Sequence, residues 1–451
     1  MNSLTQDIKA LLNLAWPVVI SRTGILTLGI VDTMMVGRYA SEHLAYLGIG
    51  MVPSNIFILI MIGLLMGTSV VVSNRFGAGD YSKTGEVLWH ALPWGFAIGL
   101  IGFLFCYFGE FWLLLTGQDA VLAEKGGHIS VIAGLSLPLA AVHMTTGFFL
   151  EGIRNPRPGM LIMIIANIIN IFANYFLVYG VYGFPEMGAE GSIWATFIVR
   201  CMQVVAILSY VWFFLDHEKY GLKRPKISWS GGRELRRIGY ASGISMGLEN
   251  GAFNALVLFA GFLGTAAVAA HIIMINVFAL FFMMGLGFGV ATAVSVGNAY
   301  GAGNMPLVAR WAWLGLSIQS LIMVVAGVLM WVTAQQASAF FTNDPAVFTL
   351  AAAMIAWVSV ALVFDTGQSL LAMALRARGD TWAPTYIHFL AYGVVMIPLA
   401  YLLIFSLGRG AMGLADSVIF GTFVPFMLVI WRYRQLDRRA LGARSAAPAQ
   451  S

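Results

Sequence analysis

Long apolar runs separated by short polar stretches dominate the pattern of this 451-residue chain. A helix needs about 20 apolar residues to cross the hydrocarbon core of a bilayer, and windows of that length predict twelve membrane-spanning helices. Their approximate ranges are 11–36, 44–72, 88–109, 128–150, 158–180, 188–214, 237–262, 266–297, 309–334, 347–375, 384–407 and 411–431. The remaining segments are too short for a soluble catalytic domain, so the pattern predicts an all-α polytopic membrane protein.

The composition also indicates an integral membrane protein. Charged residues make up 10% of the chain and hydrophobic residues 59%, whereas a soluble domain carries roughly 25% charged residues. The two cysteines, Cys106 and Cys201, lie in apolar runs and provide neither a disulfide framework nor metal-ligand spacing. The net charge of +5 follows the predicted membrane topology, so no nucleic-acid partner is expected.

The distribution of lysine and arginine predicts the orientation in the membrane. With the N-terminus placed in the cytoplasm, twenty of these residues fall in cytoplasmic segments and three, Arg38, Lys125 and Arg409, in outer segments. Lysine and arginine concentrate on the cytoplasmic side of membrane proteins. Both termini are therefore expected in the cytoplasm, which agrees with the even number of spans.

Short motifs recur in the two halves of the chain at nearly one offset. Asn74-Arg-Phe-Gly-Ala-Gly-Asp80 matches Asn298-Ala-Tyr-Gly-Ala-Gly-Asn304 at an offset of 224. The other two matches are 150–154 with 372–376, at 222, and 187–192 with 412–417, at 225. A repeated unit of six spans inserts both copies the same way up, which is the parallel-repeat arrangement of some transporters.

This repeat predicts four segments. They are a six-helix bundle over 1–214, a cytoplasmic linker over 215–236, a second six-helix bundle over 237–435 and a polar tail over 436–451. The linker would connect the two bundles on the cytoplasmic side.

Three carboxylates stand out among the polar residues of the predicted spans, because a charge costs ~2.5–3.5 kcal/mol at the bilayer centre. They are Asp32 in the first span, Glu249 in the seventh and Asp365 in the tenth. At ~1.5 Å per residue, Glu249 and Asp365 lie at similar depths below the cytoplasmic boundary, where they could share a cation. The alternative is that each carboxylate is neutral and merely hydrogen-bonded.

Other polar residues in the spans have two interpretations each. Asn167, Asn170 and Asn174 in the fifth span could coordinate a cation or hold Asp32, or they could be interhelical packing contacts. The histidines His143, His271 and His388 are candidate proton carriers or hydrogen-bonded packing residues. The intramembrane arginines Arg22 and Arg200 are expected to extend toward the interface or to bind backbone carbonyls.

The paired acids favour ion exchange over catalysis. Two carboxylates in a low-dielectric setting resist simultaneous ionisation, so such a pair can exchange a proton for Na⁺ or a cationic substrate. No nucleophile, catalytic motif or aqueous domain accompanies the acids. The protein is therefore expected not to be an enzyme, and to need no cofactor beyond Na⁺ or H⁺ as the coupling ion.

With these residues in view, the chain resembles the MATE (multidrug and toxic compound extrusion) transporters, in particular their NorM-like branch. The resemblance covers nearly all of 10–435. It rests on the following segments of this sequence: Trp16-Pro17, Val31-Asp-Thr-Met-Met-Val-Gly37, Leu44-Ala45, Asn74 with Gly77-Ala-Gly-Asp80, Arg154-Asn-Pro-Arg157, Gly188-Ala-Glu-Gly191, Gly264-Thr-Ala-Ala-Val-Ala-Ala-His271 and Leu375-Arg-Ala-Arg-Gly-Asp380.

The resemblance implies two six-helix bundles that form a V, and export of organic, mostly cationic and lipophilic compounds by antiport with Na⁺ or H⁺. It implies a multi-pass monomer in a bacterial inner membrane. The resemblance implies six cation- and substrate-binding residues: Glu249, Asp365, Asp32, Asn170, Asn174 and Thr196. His271, the candidate proton carrier of the eighth span, is added to this set. A bound Na⁺ is expected only at Glu249, Asp365 or Asp32. Some NorM-like members carry an aromatic residue one turn before the acid of the tenth span, where this chain has Ala361. No cation–π contact is therefore expected at this position.

Three other classes compete with drug export. A lipid or lipid-linked oligosaccharide flippase of the same superfamily would need a cavity lined with Arg and Lys, whereas acids dominate these spans. A major-facilitator carrier shares parallel six-helix repeats, but 74–83 only faintly resembles its loop motif. A receptor or scaffold would not explain intramembrane acids in both halves.

Overall fold

The computed structural model describes residues 2–223 and 228–445, with side chains described over 4–223 and 228–440. The described chain is helical and contains no β-strand. Arg224 and Lys226 of the predicted linker, the side chain of Arg444 and the tail beyond 445 lie outside the described residues.

The helices of the first half follow the predicted spans. They are α1 (Asn2–Tyr39), α2 (Ser41–Gly50), α3 (Val52–Leu65), α4 (Gly67–Gly77), α5 (Tyr81–Tyr107), α6 (Gly109–Leu115), α7 (Ala120–Leu135), α8 (Leu137–Gly152), α9 (Arg157–Tyr179), α10 (Ala189–Phe214) and α11 (His217–Tyr220). A 3₁₀ turn over Val181–Gly183 follows α9.

The helices of the second half begin after the linker. They are α12 (Arg233–Phe262), α13 (Thr265–Gly301), α14 (Met305–Val332), α15 (Ala334–Phe341), α16 (Pro345–Val358), α17 (Ala361–Ala377), α18 (Ala383–His388), α19 (Ile397–Tyr401) and α20 (Met412–Ser445). Wider π-helical turns over Phe389–Met396 and Leu402–Ser406 join α18 and α19 into one segment that ends near residue 406.

Ten helical segments of the described chain are long and apolar enough to cross a membrane. The pair α16 and α17, bent by 49°, supplies an eleventh candidate. The predicted seventh span coincides with α12, a continuous helix of 30 residues. This helix is less apolar because it carries Glu249, Asn250 and Asn254. All twelve predicted spans therefore fall on helical segments, and eleven have the composition of a span.

Several spans predicted as single helices are interrupted. The predicted second span consists of α2, α3 and α4, and the predicted fourth consists of α7 and α8. Pro53 and Pro138 lie in the first turns of α3 and α8, and proline cannot donate the backbone hydrogen bond that a continuous helix requires. The breaks before α3 and α8 are local consequences of these two residues, whereas the break between α3 and α4 contains no proline.

The described chain forms two compact units. The N-terminal unit comprises the described parts of 20–243, and the C-terminal unit comprises the described parts of 1–19 and 244–451. Both α1 and α12 therefore contribute residues to both units. The bundle boundaries predicted at 214 and 237 stay a prediction.

Glycines bring helix backbones into contact within the N-terminal unit. A Cβ at Gly67 would collide with the carbonyl oxygen of Leu235, and one at Gly239 with the carbonyl oxygen of Leu64. Small residues permit this close approach between helices in lipid. The first turns of α12 are thereby packed against the α3–α4 segment.

Part of the predicted linker is also ordered by side-chain contacts. Asp216 accepts hydrogen bonds from the backbone N–H groups of Lys219 and Glu218, both at 3.0 Å, which lowers the pKa of this carboxyl below its ordinary value. Trp89 donates to the carbonyl oxygen of Leu222 at 3.2 Å. The described end of this segment is thus held on α5.

The internal repeat appears in two pairs of turns, each with one member in either half of the chain. Gly79 and Gly303 both adopt left-handed backbone conformations, with φ of 80° and 70°. Arg154 (φ 63°) and Gly379 (φ 93°) form a second such pair. In each turn the next residue donates its N–H to a carbonyl five residues earlier, at 2.8–3.0 Å.

The second pair of turns corrects one motif match. Residue 154 corresponds to 379, an offset of 225, whereas the sequence match of 150–154 with 372–376 used 222. The structural match places Leu150 opposite Leu375, because the hydrogen-bonded turn and not residue identity sets the correspondence.

Candidate ion and substrate sites

In the N-terminal unit, Asp32 is buried and surrounded by neutral hydrogen-bond donors. The amide nitrogens of Asn170 and Asn174 donate to Oδ1 at 3.1 and 2.8 Å. The hydroxyl of Thr196 donates to Oδ2 at 2.8 Å. Residues of α1, α9 and α10 thus meet at one carboxylate. All four residues were expected at one site, and the structure brings them together.

The same group also offers oxygen atoms to a cation. The side-chain oxygens of Asn170 and Asn174 are buried and have no hydrogen-bond partner. A carboxylate beside two amide oxygens provides the kind of ligands that coordinate Na⁺ in transporters. The side-chain oxygen of Asn167 also lacks a partner, but its amide nitrogen donates to the carbonyl oxygens of Gly24 and Met163 at 3.1 and 2.9 Å and not to Asp32. Its contact with Gly24 joins α9 to α1.

In the C-terminal unit, Gln368 links Glu249 and Asp365. Its amide nitrogen lies 3.5 Å from Oε1 of Glu249 and 3.3 Å from Oδ1 of Asp365. Asp365 and Gln368 are three residues apart in α17 and share a helix face, while Glu249 comes from α12. The two acids expected to share a cation thus reach one amide nitrogen.

Tyr392 supplies a second donor to this group. Its hydroxyl donates to Oε1 of Glu249 at 3.2 Å and lies 3.1 Å from the amide nitrogen of Gln368. The residue is fully buried and belongs to the π-helical turn Phe389–Met396. Wide turns of this kind occur frequently at functional sites. A tyrosine from a segment other than α12 and α17 thus contacts Glu249.

A hydrogen-bonded chain extends from Gln368 away from the acids. Nε2 of His388 lies 2.8 Å from the side-chain oxygen of Gln368, and Nδ1 lies 2.7 Å from the hydroxyl of Ser245. His388, Gln368 and Ser245 are all buried. With its oxygen held by His388, Gln368 must direct its amide nitrogen toward Glu249 and Asp365.

Buried and partly buried acids of the described chain differ in whether they contact a basic residue. Glu151 pairs with Arg22 at 2.8 Å and Asp416 with Arg409 at 2.9 Å. Over the described residues, Asp32, Glu249 and Asp365 form no ion pair with lysine or arginine within 4.0 Å. Only neutral donors contact these three carboxylates, which leaves their negative charge available to a cation or proton.

His271 stands apart from both groups of acids. It is fully buried in α13, and neither ring nitrogen contacts a hydrogen-bond partner in the described chain. No hydrogen bond joins it to Glu249 or Asp365. Its role as a proton carrier stays a prediction.

The expectation for Arg22 is wrong. It neither extends to the interface nor binds a backbone carbonyl, because its Nη2 atom contacts both carboxylate oxygens of Glu151, at 2.8 and 3.1 Å. A buried guanidinium needs a charged partner. Glu151 was not singled out in the sequence because it follows the predicted fourth span by one residue.

Neither Gln368 nor Tyr392 was predicted as a site residue from the sequence. Gln368 could have been found from its spacing, since a polar residue three positions after an intramembrane acid shares its helix face. Tyr392 carried no such signal, because an isolated tyrosine in an apolar run is ordinary in a membrane helix.

Comparison with known proteins gives the class. The described fold matches the eukaryotic MATE transporter AtDTX14 with a TM-score of 0.89 at 20% identity, covering 97% of this chain and 98% of that one. It also matches an outward-facing multidrug resistance MATE family transporter of the MOP superfamily, with a TM-score of 0.87 at 19% identity and 96% coverage of both chains. The fold is therefore that of the MATE transporters.

The sequence comparisons then identify the family. The MatE family model matches residues 17–176 and 241–402. A probable multidrug resistance protein NorM of Caulobacter vibrioides is 36% identical over 96% of this chain and 92% of its own length. The multidrug resistance protein PmpM of Pseudomonas aeruginosa is 30% identical over 96% and 92%. The chain belongs to the MatE family, as the NorM-like resemblance predicted.

Proposed function

We propose that this protein is a secondary antiporter that exports organic, mostly cationic and lipophilic compounds in exchange for Na⁺ or H⁺. The observation that carries the proposal is the set of three intramembrane carboxylates that form no ion pair with a described lysine or arginine, Asp32 in one unit and Glu249 with Asp365 in the other. Asp32 and Asp365 are buried, and Glu249 is partly buried. The names of the relatives as multidrug resistance proteins support the same function.

Exchange follows from the charges of the C-terminal group. Glu249 and Asp365 both contact the amide nitrogen of Gln368, so two negative charges would repel each other in a site of low dielectric constant. A proton, Na⁺ or an organic cation relieves this repulsion, and the three compete for the same negative charge. A ligand shifts an equilibrium between conformations only if it binds one of them more tightly. Substrate and coupling ion are released on opposite sides of the membrane, so the site must open to each side in turn. The proposal therefore includes alternating access.

Neutralising the acids tests the site. Glu249→Gln and Asp365→Asn keep the shape of each side chain but remove its charge, and each should abolish ethidium export from cells. Asp416→Asn is the matched control, because Asp416 is a buried acid of the same unit whose partner is Arg409. This control should retain export. Export at the wild-type rate in both test variants, at normal expression, would reject the assignment.

The coupling ion is identified by a separate experiment. Purified protein in liposomes is given either a Na⁺ gradient or a pH gradient, and ethidium transport is followed under each. Carboxylates and asparagine oxygens serve Na⁺ and H⁺ equally well, so the residues leave both ions open. Transport driven by neither gradient would contradict antiport.

We also propose a monomer in the bacterial inner membrane with both termini in the cytoplasm. The excess of basic residues in the predicted cytoplasmic segments, twenty against three, supports this orientation.

The flippase alternative is less well supported. Relatives in both comparisons are named multidrug resistance proteins or MATE transporters, and the acids that lack basic partners suit a cation better than a lipid pyrophosphate.

A further inference from the structure

His388 holds the side chain of Gln368 by its oxygen end. Nε2 of His388 lies 2.8 Å from the side-chain oxygen of Gln368. An amide oxygen can only accept a hydrogen bond, so Nε2 must carry the hydrogen. Nδ1 lies 2.7 Å from the hydroxyl of Ser245, which can donate to it. The imidazole also packs edge-on against the ring of Tyr392, with centroids 5.4 Å apart, so its orientation is fixed on two sides.

This contact decides which end of the Gln368 amide faces the acids. Its nitrogen lies 3.5 Å from Oε1 of Glu249 and 3.3 Å from Oδ1 of Asp365. The reverse orientation would set the amide oxygen against two carboxylate oxygens, and the amide N–H against the N–H of His388. The amide therefore presents hydrogen-bond donors to the acids and keeps its oxygen away from them.

Charge alone does not distinguish the coupling ions at this group. When ionised, Glu249 and Asp365 carry two negative charges. The buried Arg376 interacts electrostatically with Glu249 and adds one positive charge. One proton or one Na⁺ balances the remaining negative charge equally well. The ligands that each ion needs therefore decide between them.

The two ions need different ligands. A proton bonds to a single carboxylate oxygen, whereas a hard metal cation such as Na⁺ is held by several oxygen atoms. Here the amide of Gln368 directs N–H groups toward the acids, and the hydroxyl of Tyr392 donates to Oε1 of Glu249 at 3.2 Å. A Na⁺ would have to displace these donors. In the N-terminal unit, by contrast, the side-chain oxygens of Asn170 and Asn174 lack partners in the described chain.

We propose that His388 is a positioning residue that makes the C-terminal acids selective for H⁺ against Na⁺. It acts through Gln368, because it keeps the amide oxygen away from the acids. The inference rests on the proposed antiport function, in which these acids bind the coupling ion. It holds for the imidazolium as well as for the neutral ring with hydrogen on Nε2, since Nε2 donates in both.

The experiment measures Na⁺ binding by thermal unfolding of the purified full-length protein in detergent, with NaCl replacing KCl at constant ionic strength. All proteins carry Asp32→Asn, which removes the carboxylate of the other candidate ion site. Na⁺ that binds the folded protein raises its melting temperature. His388→Leu frees the oxygen of Gln368 to turn toward the acids. We expect the Na⁺ affinity to rise about tenfold, as for one gained polar contact to an ion.

Two further substitutions, each added to His388→Leu, separate this role from a loss of packing. Gln368→Leu removes the oxygen that Na⁺ would gain, and Glu249→Gln removes a charge, so either should cancel the rise in Na⁺ affinity. The matched control is His90→Leu. His90 also lies near a serine hydroxyl, that of Ser228 at 3.4 Å, but in the N-terminal unit, so this change should leave Na⁺ affinity unaltered.

Ser245→Ala tests the same chain with a smaller change, which also serves if His388→Leu does not fold. It removes the hydroxyl that donates to Nδ1 and so weakens the preference for hydrogen on Nε2, and a smaller rise in Na⁺ affinity is expected. Unaltered Na⁺ affinity in every folded variant of His388 and Ser245, or a rise that persists with Gln368→Leu, would overturn the proposal. If Glu249→Gln nevertheless abolishes ethidium export, the antiport function stands and only the role of His388 is rejected.

Discussion

At the scale of single residues, the partner of a buried acid separates structural from functional carboxylates. Asp416 receives the indole N–H of Trp357 at 2.7 Å as well as Arg409, so both its charge and its hydrogen-bonding capacity are used. Asp32 receives three neutral donors, which orient its carboxylate without cancelling its charge. Hydrogen bonds from neutral groups thus orient a carboxylate and leave its charge free to bind a cation. An arginine in the same place would occupy the position of that cation.

Gln368 should be required for export because it orients both acids of the C-terminal unit. Gln368→Leu removes the amide contacts to Glu249 and Asp365, and we expect the export rate to fall by about tenfold, as for one or two lost hydrogen bonds. Gln319→Leu is the matched control, since Gln319 is fully buried in α14 with neither side-chain atom partnered. Ethidium export normalised to expression is the measurement, and equal rates for the two variants would contradict the role of Gln368.

At the scale of helices, glycine placement decides which elements pack closely. In α12, Gly239 meets the backbone of α3, whereas Gly261 of the same helix has nothing within 4 Å of a Cβ position. Gly243 likewise lies against Leu64, and Gly63 lies against Gly243. The first part of α12 is thus joined to the N-terminal unit by backbone contacts that no larger residue allows.

The variant Gly239→Ala should destabilise the protein. Its Cβ would overlap the carbonyl oxygen of Leu64, and overpacking of a close contact typically costs about 1–3 kcal/mol. Gly261→Ala is the control in the same helix, and it should be neutral or slightly stabilising, because alanine exceeds glycine in helix propensity by about 1 kcal/mol. Thermal unfolding in detergent measures both. An unchanged melting temperature for Gly239→Ala would contradict the packing argument.

At the scale of the whole molecule, basic residues serve both topology and tertiary structure. Arg378 pairs with Asp437 at 2.7 Å and Arg432 with Asp380 at 2.7 Å, and Arg376 is buried. These residues were counted as cytoplasmic charges in predicting the orientation. Burial in the folded protein does not weaken that prediction, because the positive-inside bias acts on loop segments during insertion.

Reporter fusions test the orientation. Alkaline phosphatase fused after residue 445 should be inactive and a green fluorescent protein at the same position fluorescent, because the former needs the periplasm and the latter folds in the cytoplasm. A phosphatase fusion in the predicted outer loop at Arg409 should be active and serves as the matched control. The reverse pattern at both positions would contradict the proposed topology.

The sequence by itself determined the membrane class, the positions of the spans, the internal repeat and the three intramembrane acids. Each depends on composition or spacing along the chain, which a linear pattern retains. Only the tertiary structure decided the partners of these acids. Gln368, Tyr392 and His388 come from two separate segments, α17 and the α18–α19 segment, and Arg22 meets Glu151 across 129 residues. Such contacts depend on how helices pack, and no periodicity within one helix encodes the neighbour that it will face.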